Sequence, residues 1–306
     1  MTKSKIGKII KERRCERGVT QTELCRGICS KSMLSRIENG NNIGGADVLA
    51  MLLERLGLGS EILGETTVLT DYIVYQKIRG AERLFFDGEK AESLGIIDAL
   101  GKEYDSFSPE NRQRYDALET VILFEAGVIS LDRKLENLEK SLSITVEGFS
   151  VENLPPLMTR TEIHLLGFIA ETYFALGNVK IAVRILYHTK NFVEANVEDT
   201  VAASEMLSEI CRHLSRYLGT AGNYSECANV AREGIKRCKY AKDNLNLVFC
   251  LYNRALALRN LGDPRDCGEV TELANEALLL CVSGEADADS PLLGCIRSLL
   301  SHPGGR

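Results

Sequence analysis

The sequence of 306 residues lacks several features that mark other classes of protein. It contains no tryptophan and only six prolines, a composition that favours an all-helical chain with few rigid turns. It has no apolar run of transmembrane length, and its first residues, MTKSKIGKIIKERR, show no signal-peptide pattern. We therefore expect a cytoplasmic protein with no membrane contact.

Residues arranged for catalysis or metal binding are also scarce. The four histidines are His164, His188, His213 and His302. None lies near a serine or cysteine nucleophile with an acidic third member, and no GxSxG, P-loop or Rossmann fingerprint occurs. Without a sign of secretion, the ten cysteines are expected to be reduced, mostly at helical core positions. Cys25 and Cys29 have no second Cys/His pair nearby, so we expect no metal, no cofactor and no catalytic residue.

The stretch 20–40, TQTELCRGICSKSMLSRIENG, predicts two short helices joined by a tight turn. Thr20 and Glu23 form a capping box, in which a hydroxyl and a carboxylate satisfy two amides at a helix start. Gly27 allows the chain reversal, and Ser30 is a suitable N-cap for the second helix. The alternative is a bare helical hairpin, but the capping box and the two well-placed glycines coincide here with a polar outer face.

The outer face of the second helix carries short hydroxyls and cations, which suit base edges and phosphates in a major groove. The candidate DNA contacts on this helix are Ser30, Lys31, Ser32, Met33, Ser35 and Arg36. Among them, Lys31, Ser32 and Met33 are the candidates for reading bases. We expect Ser35 and Arg36 to meet the DNA backbone.

The pattern TQxELCxGICSxSxLSxIENG resembles the helix-turn-helix of the phage-repressor (Cro/C1, XRE) superfamily over about residues 5–57. Its second half is most similar to the peptide-sensing regulators related to PlcR, NprR and Rgg, the RRNPP family. The resemblance implies a five-helix-type DNA-binding domain in which Gln21 binds a phosphate through its side chain and its helix-start amide. It also implies that Arg14 pairs with Glu38, with phosphate binding as the alternative role of Arg14.

The distribution of charge divides the chain into two predicted domains. Residues 1–64 hold eleven Lys/Arg and seven Asp/Glu, whereas residues 65–306 hold 26 and 36. A basic head can approach phosphate, while an acidic body would be repelled from it. We predict a helix-turn-helix domain at 1–64, a linker near 57–68 and a second domain at 65–306. The alternative is that the glycines near 57–68 form only a loop within one domain.

The predicted second domain contains internal repeats, each a helix, a glycine turn and a second amphipathic helix. The turn glycines are Gly88, Gly127, Gly177, Gly222 and Gly262. Their spacings of 39, 50, 45 and 40 residues exceed the tetratricopeptide unit of about 34 residues, although the texture resembles that repeat. We predict a tetratricopeptide-like α-solenoid of about five helix pairs, closed by a short helix at 288–300.

The first helix of each predicted pair should line the concave face of the solenoid. The side chains predicted to project there are Arg79, His164, Glu171, Arg212, Arg216, Tyr252, Asn253 and Asn260. Arginine and asparagine side chains can bind the carboxylate and the backbone of an extended peptide. In tetratricopeptide domains, an asparagine at the position of Asn253 often does this. The alternative is a solvated polar face without a ligand.

These observations predict a DNA-binding transcriptional regulator whose repeats sense a short signalling peptide. Because one head offers few contacts, a homodimer on a two-fold-related double-stranded operator is expected. The family resemblance implies that the peptide is a secreted pheromone taken up again by the cell. The main alternative is a helix-turn-helix repressor whose repeats bind a protein partner. A third possibility is a regulator of an enzyme with a vestigial helix-turn-helix, against which the intact polar face argues.

Overall fold

The structure is a computed structural model that describes residues 3–41, 44–58, 69–86, 88–197, 200–283 and 291–301. Over these residues it contains fifteen α-helices, two short 3₁₀ turns and no β-strand beyond one isolated bridge between Ser150 and Asn153. The predicted all-α fold is therefore confirmed. None of the described helices has the length and hydrophobicity needed to span a bilayer.

The helices follow one another along the chain with short connections. They are α1 (Lys3–Glu16), α2 (Gln21–Cys25), α3 (Lys31–Glu38), α4 (Ala46–Arg55), α5 (Leu69–Phe86), α6 (Lys90–Gly101), α7 (Pro109–Glu125), α8 (Leu131–Ser143), α9 (Arg160–Ala175), α10 (Val179–Asn196), α11 (Val201–Thr220), α12 (Tyr224–Ala241), α13 (Asn244–Leu261), α14 (Cys267–Ser283) and α15 (Pro291–Ser301). The last of them corresponds to the predicted closing helix.

The chain divides into two compact units, Met1–Leu176 and Gly177–Arg306. The first contains α1–α9 and the second α10–α15. The predicted domain boundary after residue 64 lies within 59–68, outside the described residues, as do most of the predicted linker and the place of a fifth helix in the head. Those three points therefore stay predictions.

The helices of the head form because their inner faces are apolar and because side chains cap the starts of α2 and α3. Thr20 Oγ1 accepts from the backbone N–H of Glu23 at 3.2 Å, and Thr20 N–H donates to Glu23 Oε2 at 2.7 Å, which confirms the capping box. Ser30 Oγ accepts from the backbone N–H of Met33 at 3.1 Å and caps α3. The predicted core residues Leu24, Leu34 and Ile37 are buried, whereas Ile28 is half-buried.

The repeats follow the predicted rhythm of helix, glycine turn and helix. All five predicted turn glycines adopt positive φ angles, between 72° and 93°, a conformation that glycine adopts without a steric penalty. Within the first unit α5 packs on α6 and α7 on α8; within the second, α11 packs on α12 and α13 on α14. The third predicted pair, α9 and α10, is divided between the two units.

Cysteines fill tight positions in the core of the second unit. A Cβ added to Gly234 of α12 would lie 2.6 Å from Cys250 Sγ and 2.9 Å from Cys211 Cβ. The two cysteines therefore pack in space that only a glycine at position 234 leaves open. Burial raises the pKa of the Cys211 thiol to about 12. Six of the ten cysteines are buried, as expected for thiols that act as small apolar residues.

A buried arginine joins the head to the repeats within the first unit. Arg55, the last residue of α4, is 3% exposed, and its Nη2 donates to Glu162 Oε1 at 2.9 Å and to the Thr145 carbonyl at 3.2 Å. Its Nη1 donates to the carbonyls of Leu24, at 3.3 Å, and Arg26. One guanidinium thus satisfies a buried carboxylate and three backbone carbonyls.

The partners of Arg55 are themselves held in place. Glu162 forms a capping box with Thr159 at the start of α9, and its Oε1 accepts from Thr145 Oγ1 at 2.6 Å. Gln113 of α7 donates to Thr145 Oγ1 at 2.7 Å. Gly27 packs so closely here that an added Cβ would lie 1.7 Å from the Thr145 carbonyl oxygen. The turn glycine of the head therefore also permits this docking.

Removing the charge of Arg55 should destabilise the first unit strongly. In Arg55→Met, Glu162 would remain as a buried carboxylate without its ion-pair partner, which should lower the free energy of unfolding by about 3–5 kcal/mol. Urea unfolding measures this loss. The matched control is Lys90→Met, because the Lys90–Glu125 pair is exposed and should contribute no more than about 1 kcal/mol. Equal losses in both variants would contradict the role given to Arg55.

Candidate functional site

The outer face of α3 is presented as the sequence predicts. Within the described chain the candidate DNA contacts Ser30, Lys31, Ser32 and Arg36 are exposed, whereas Gln21, Met33 and Ser35 are half-buried. The inner face of the same helix buries Leu34 and Ile37 in the head. Because the buried face fixes the orientation of the helix, the cations and hydroxyls of the outer face are held in defined positions.

The predicted pair between Arg14 and Glu38 is confirmed and holds α1 against α3. Arg14 Nε donates to Glu38 Oε1 at 2.6 Å and Nη2 to Oε2 at 2.9 Å, a bidentate contact. Arg14 Nη1 also donates to the Val19 carbonyl at 2.9 Å, and Gln21 Nε2 donates to Glu38 Oε2 at 2.8 Å. The hydrogen bond between Gln21 and Glu38 was not predicted from the sequence. A contact of the Gln21 side chain with a phosphate would compete with it.

The network around Glu38 sets the charge of its carboxyl group. Burial alone would raise its pKa, but the hydrogen bonds from Arg14 and Gln21 outweigh that effect, and the pKa lies below its ordinary value of 4.5. The same pair raises the pKa of Arg14. The ion pair therefore persists at neutral pH and belongs to the scaffold that carries α3.

The stability of the first unit should depend on Glu38 in a defined range of pH. A carboxylate with a lowered pKa stabilises the fold above its unfolded value of 4.5, and this contribution disappears as the pH falls through the folded value. The difference in unfolding free energy between wild type and Glu38→Gln should thus be full near neutral pH and shrink in acid, as followed by urea unfolding. Glu16→Gln, an exposed carboxylate of α1, should have a much smaller effect. A constant difference across this range would contradict the assignment.

Three of the predicted peptide contacts lie in the first unit. Arg79 is exposed, donates to the Tyr75 hydroxyl at 3.5 Å and lies 5.8 Å from the Tyr75 ring centroid. His164 is exposed on α9. Glu171 is half-buried and lies 3.7 Å from Lys134 Nζ. These positions leave Arg79 and His164 accessible to a ligand, whereas Glu171 has an ion-pair partner of its own.

Two arginines of α11 place positive charge on one part of the second unit. The guanidinium of Arg212 lies 5.0 Å from the Phe249 ring centroid, and its Nη2 is 2.6 Å from His213 Nε2. Arg216, one turn further along the helix, is exposed. Burial lowers the pKa of His213 to about 3, with a further contribution from the two arginines, so its imidazole is neutral. Phe249, which supports Arg212, was not predicted from the sequence.

Asn253 occupies a different place from the one the sequence suggested. Its side chain was predicted to project into the groove, but the residue is only 7% exposed. Its Nδ2 donates to the Arg212 carbonyl at 3.2 Å and to Ser215 Oγ at 2.9 Å, so the amide ties α13 to α11. Tyr252 is half-buried, and Asn260 is exposed and donates to the Leu256 carbonyl of its own helix at 2.7 Å.

Comparison with known protein families supports a helix-turn-helix at the N-terminus of the chain. Residues 10–63 match the helix-turn-helix family. The head is a helix-turn-helix domain. No curated protein matches the chain by sequence.

Solved structures share the fold over the whole chain. The Bacillus thuringiensis PlcR complex with the peptide PapR7 and DNA has a TM-score of 0.60 and 20% identity, covering 98% of this chain and 99% of that one. Apo PlcR from the same organism has a TM-score of 0.59 and 18% identity, covering 97% and 98%. The apo competence regulator ComR from Streptococcus vestibularis has a TM-score of 0.50 and 18% identity, covering 99% of both chains. These likenesses confirm the predicted fold, a helix-turn-helix head followed by tetratricopeptide-like repeats.

Proposed function

We propose that this protein is a transcriptional regulator whose head binds DNA and whose repeats bind a short signalling peptide. The observation that carries the proposal is the exposed polar face of α3 on a capped and internally paired head. A regulator solved in complex with a peptide and DNA has a similar fold over 98% of this chain, and this likeness supports the proposal. Regulators of this kind are not enzymes, and they act in the cytoplasm.

On the DNA side, α3 supplies both kinds of contact that recognition needs. Lys31 and Arg36 are exposed cations, and Ser32 is an exposed hydroxyl beside them. Cations hold phosphates without regard to sequence, while short polar groups distinguish base edges in the major groove. One helix of eight residues makes few such contacts. A homodimer that places two heads on related half-sites multiplies them.

On the peptide side, the arginines of α11 are cations that can pair with a carboxylate of the peptide. Arg212 is half-buried over Phe249, and its Nε is buried without a hydrogen-bond partner in the described structure. An acidic side chain or the C-terminus of a peptide would satisfy such a group. To regulate, the peptide must bind one arrangement of the paired heads better than another, since equal affinity shifts no equilibrium.

Substitutions on α3 should separate phosphate contacts from base contacts. Arg36→Ala should weaken binding to all DNA sequences and reduce the salt slope by about one unit, whereas Ser32→Ala should change preference at particular base pairs. An operator selected from random duplexes, followed by titrations at several salt concentrations, measures both effects. Lys239→Gln removes a cation of α12 and should change neither. Wild-type behaviour of both α3 variants, or a protein that sediments as a monomer on its operator, would contradict the proposal.

Arg212→Ala should weaken peptide binding while leaving DNA binding without peptide unchanged. Loss of one charge-assisted contact in a partly desolvated groove should lower affinity about tenfold to a hundredfold. Calorimetry with peptide fractions from the host culture, paired with an operator shift assay, measures both properties. Arg265→Ala is the matched control, because Arg265 is 89% exposed and pairs locally with Asp263.

The buried position of Asn253 decides which variants are informative. Asn253→Ala would leave Ser215 and the Arg212 carbonyl without their donor, so it would disturb the packing of α11 and α13 together with any ligand effect.

Equal peptide affinity in wild type and Arg212→Ala would show that Arg212 does not contact the peptide. If wild type binds no peptide fraction but retains a protein from the host, the alternative of a protein partner takes the place of peptide sensing.

A further inference from the structure

A basic recess lies on one side of α12 in the second unit, apart from the arginines of α11 described above. It has a volume of about 590 Å³ and is lined by Ser204 of α11, by the carboxylate of Glu233 on α12, and by Asn229, Arg232, Lys236, Arg237 and Tyr240 of α12. The α12 residues follow one another at alternating intervals of three positions and one, so they share one side of the helix. The recess is therefore a feature of a rigid helix surface.

The recess is positively charged although the body of the protein is acidic. Arg232 and Lys236 are exposed, and neither has a hydrogen-bond or ion-pair partner among the described residues. The carboxylate of the recess, Glu233, lies 3.1 Å from Lys190 Nζ and 3.9 Å from Arg237 Nη2. Since Glu233 is already paired, the positive charge of Arg232 and Lys236 is not balanced locally.

A buried hydroxyl at the recess lacks an acceptor. Ser204 is 0% exposed, and its Oγ has no hydrogen-bond partner in the described part of the chain. An unsatisfied buried hydroxyl is unfavourable, and buried polar groups are usually paired. Because Ser204 lines the recess, an oxygen atom of a bound anion would supply the missing acceptor.

We propose that this recess binds the phosphate group of a small anionic ligand, such as a nucleotide. Apart from the paired Glu233, the polar side chains that line it offer N–H or O–H donors, and phosphate presents several acceptor oxygens on one centre. Its volume lies within the range of about 300–1,000 Å³ that small-molecule sites occupy. Phosphate can come from a free compound or from a DNA backbone, and the concave shape favours the free compound.

Calorimetry on the full chain at low ionic strength tests the proposal with pyrophosphate and ATP as probes. Wild type should bind at least one of them, and Arg232→Gln with Lys236→Gln should weaken binding about tenfold or more. Ser204→Ala should also weaken binding, but without lowering the melting temperature, since the hydroxyl has no partner to lose. Lys239→Gln is the matched control on the same helix, because Lys239 pairs with Glu276 at 2.8 Å.

The outcomes separate the recess from general electrostatics and from DNA. If wild type binds neither probe, the proposal is wrong. The same holds if Lys239→Gln weakens binding as much as the double variant does, because the effect would then follow net charge alone. If the double variant loses affinity for non-operator DNA while its affinity for both probes is unchanged, the recess contacts a DNA backbone and the small-ligand proposal is overturned.

Discussion

The buried contact between Arg55 and Glu162 is the constraint on which the first unit depends. A charge taken out of water is costly unless it is well paired, and here the two Nη atoms of one guanidinium meet a carboxylate and three carbonyls. Apolar side chains of similar volume could hold the same elements with equal strength. Directional hydrogen bonds, however, constrain how α4 docks on the start of α9, so the pair helps to define the position of the head within the first unit.

The same contacts restrict how the head can move relative to the adjoining repeats. Within the first unit, the head cannot turn on the adjoining repeats without separating Arg55 from Glu162 and lifting Gly27 from Thr145. The outer face of α3 lies away from these contacts and stays exposed. A ligand that changes the presentation of α3 must therefore either break the buried pair, at a large free-energy cost, or move the first unit as a body.

The features predicted correctly from the sequence are those with short-range causes. The capping box of Thr20 and Glu23 and the five turn glycines follow from residues a few positions apart. The Arg14–Glu38 pair spans 24 positions and was predicted only because the motif resembles a known family. Arg55 has partners 90 and 107 positions away, and no local pattern or motif marks it. Long-range pairs of this kind follow from the packing of the fold.

Asn253 shows the limit of aligning repeats by their turns. Such an alignment gives the position of a residue along its helix, but a small rotation of the helix decides whether a side chain is buried or exposed. In α13 that rotation buries Asn253 against α11 and places its neighbour Arg254 between the Ala228 carbonyl and Glu269. Because buried polar groups must be paired, two adjacent polar residues here hold the repeats together. The arginines of α11 keep access to solvent, so they remain the candidates for the proposed peptide contacts in the second unit.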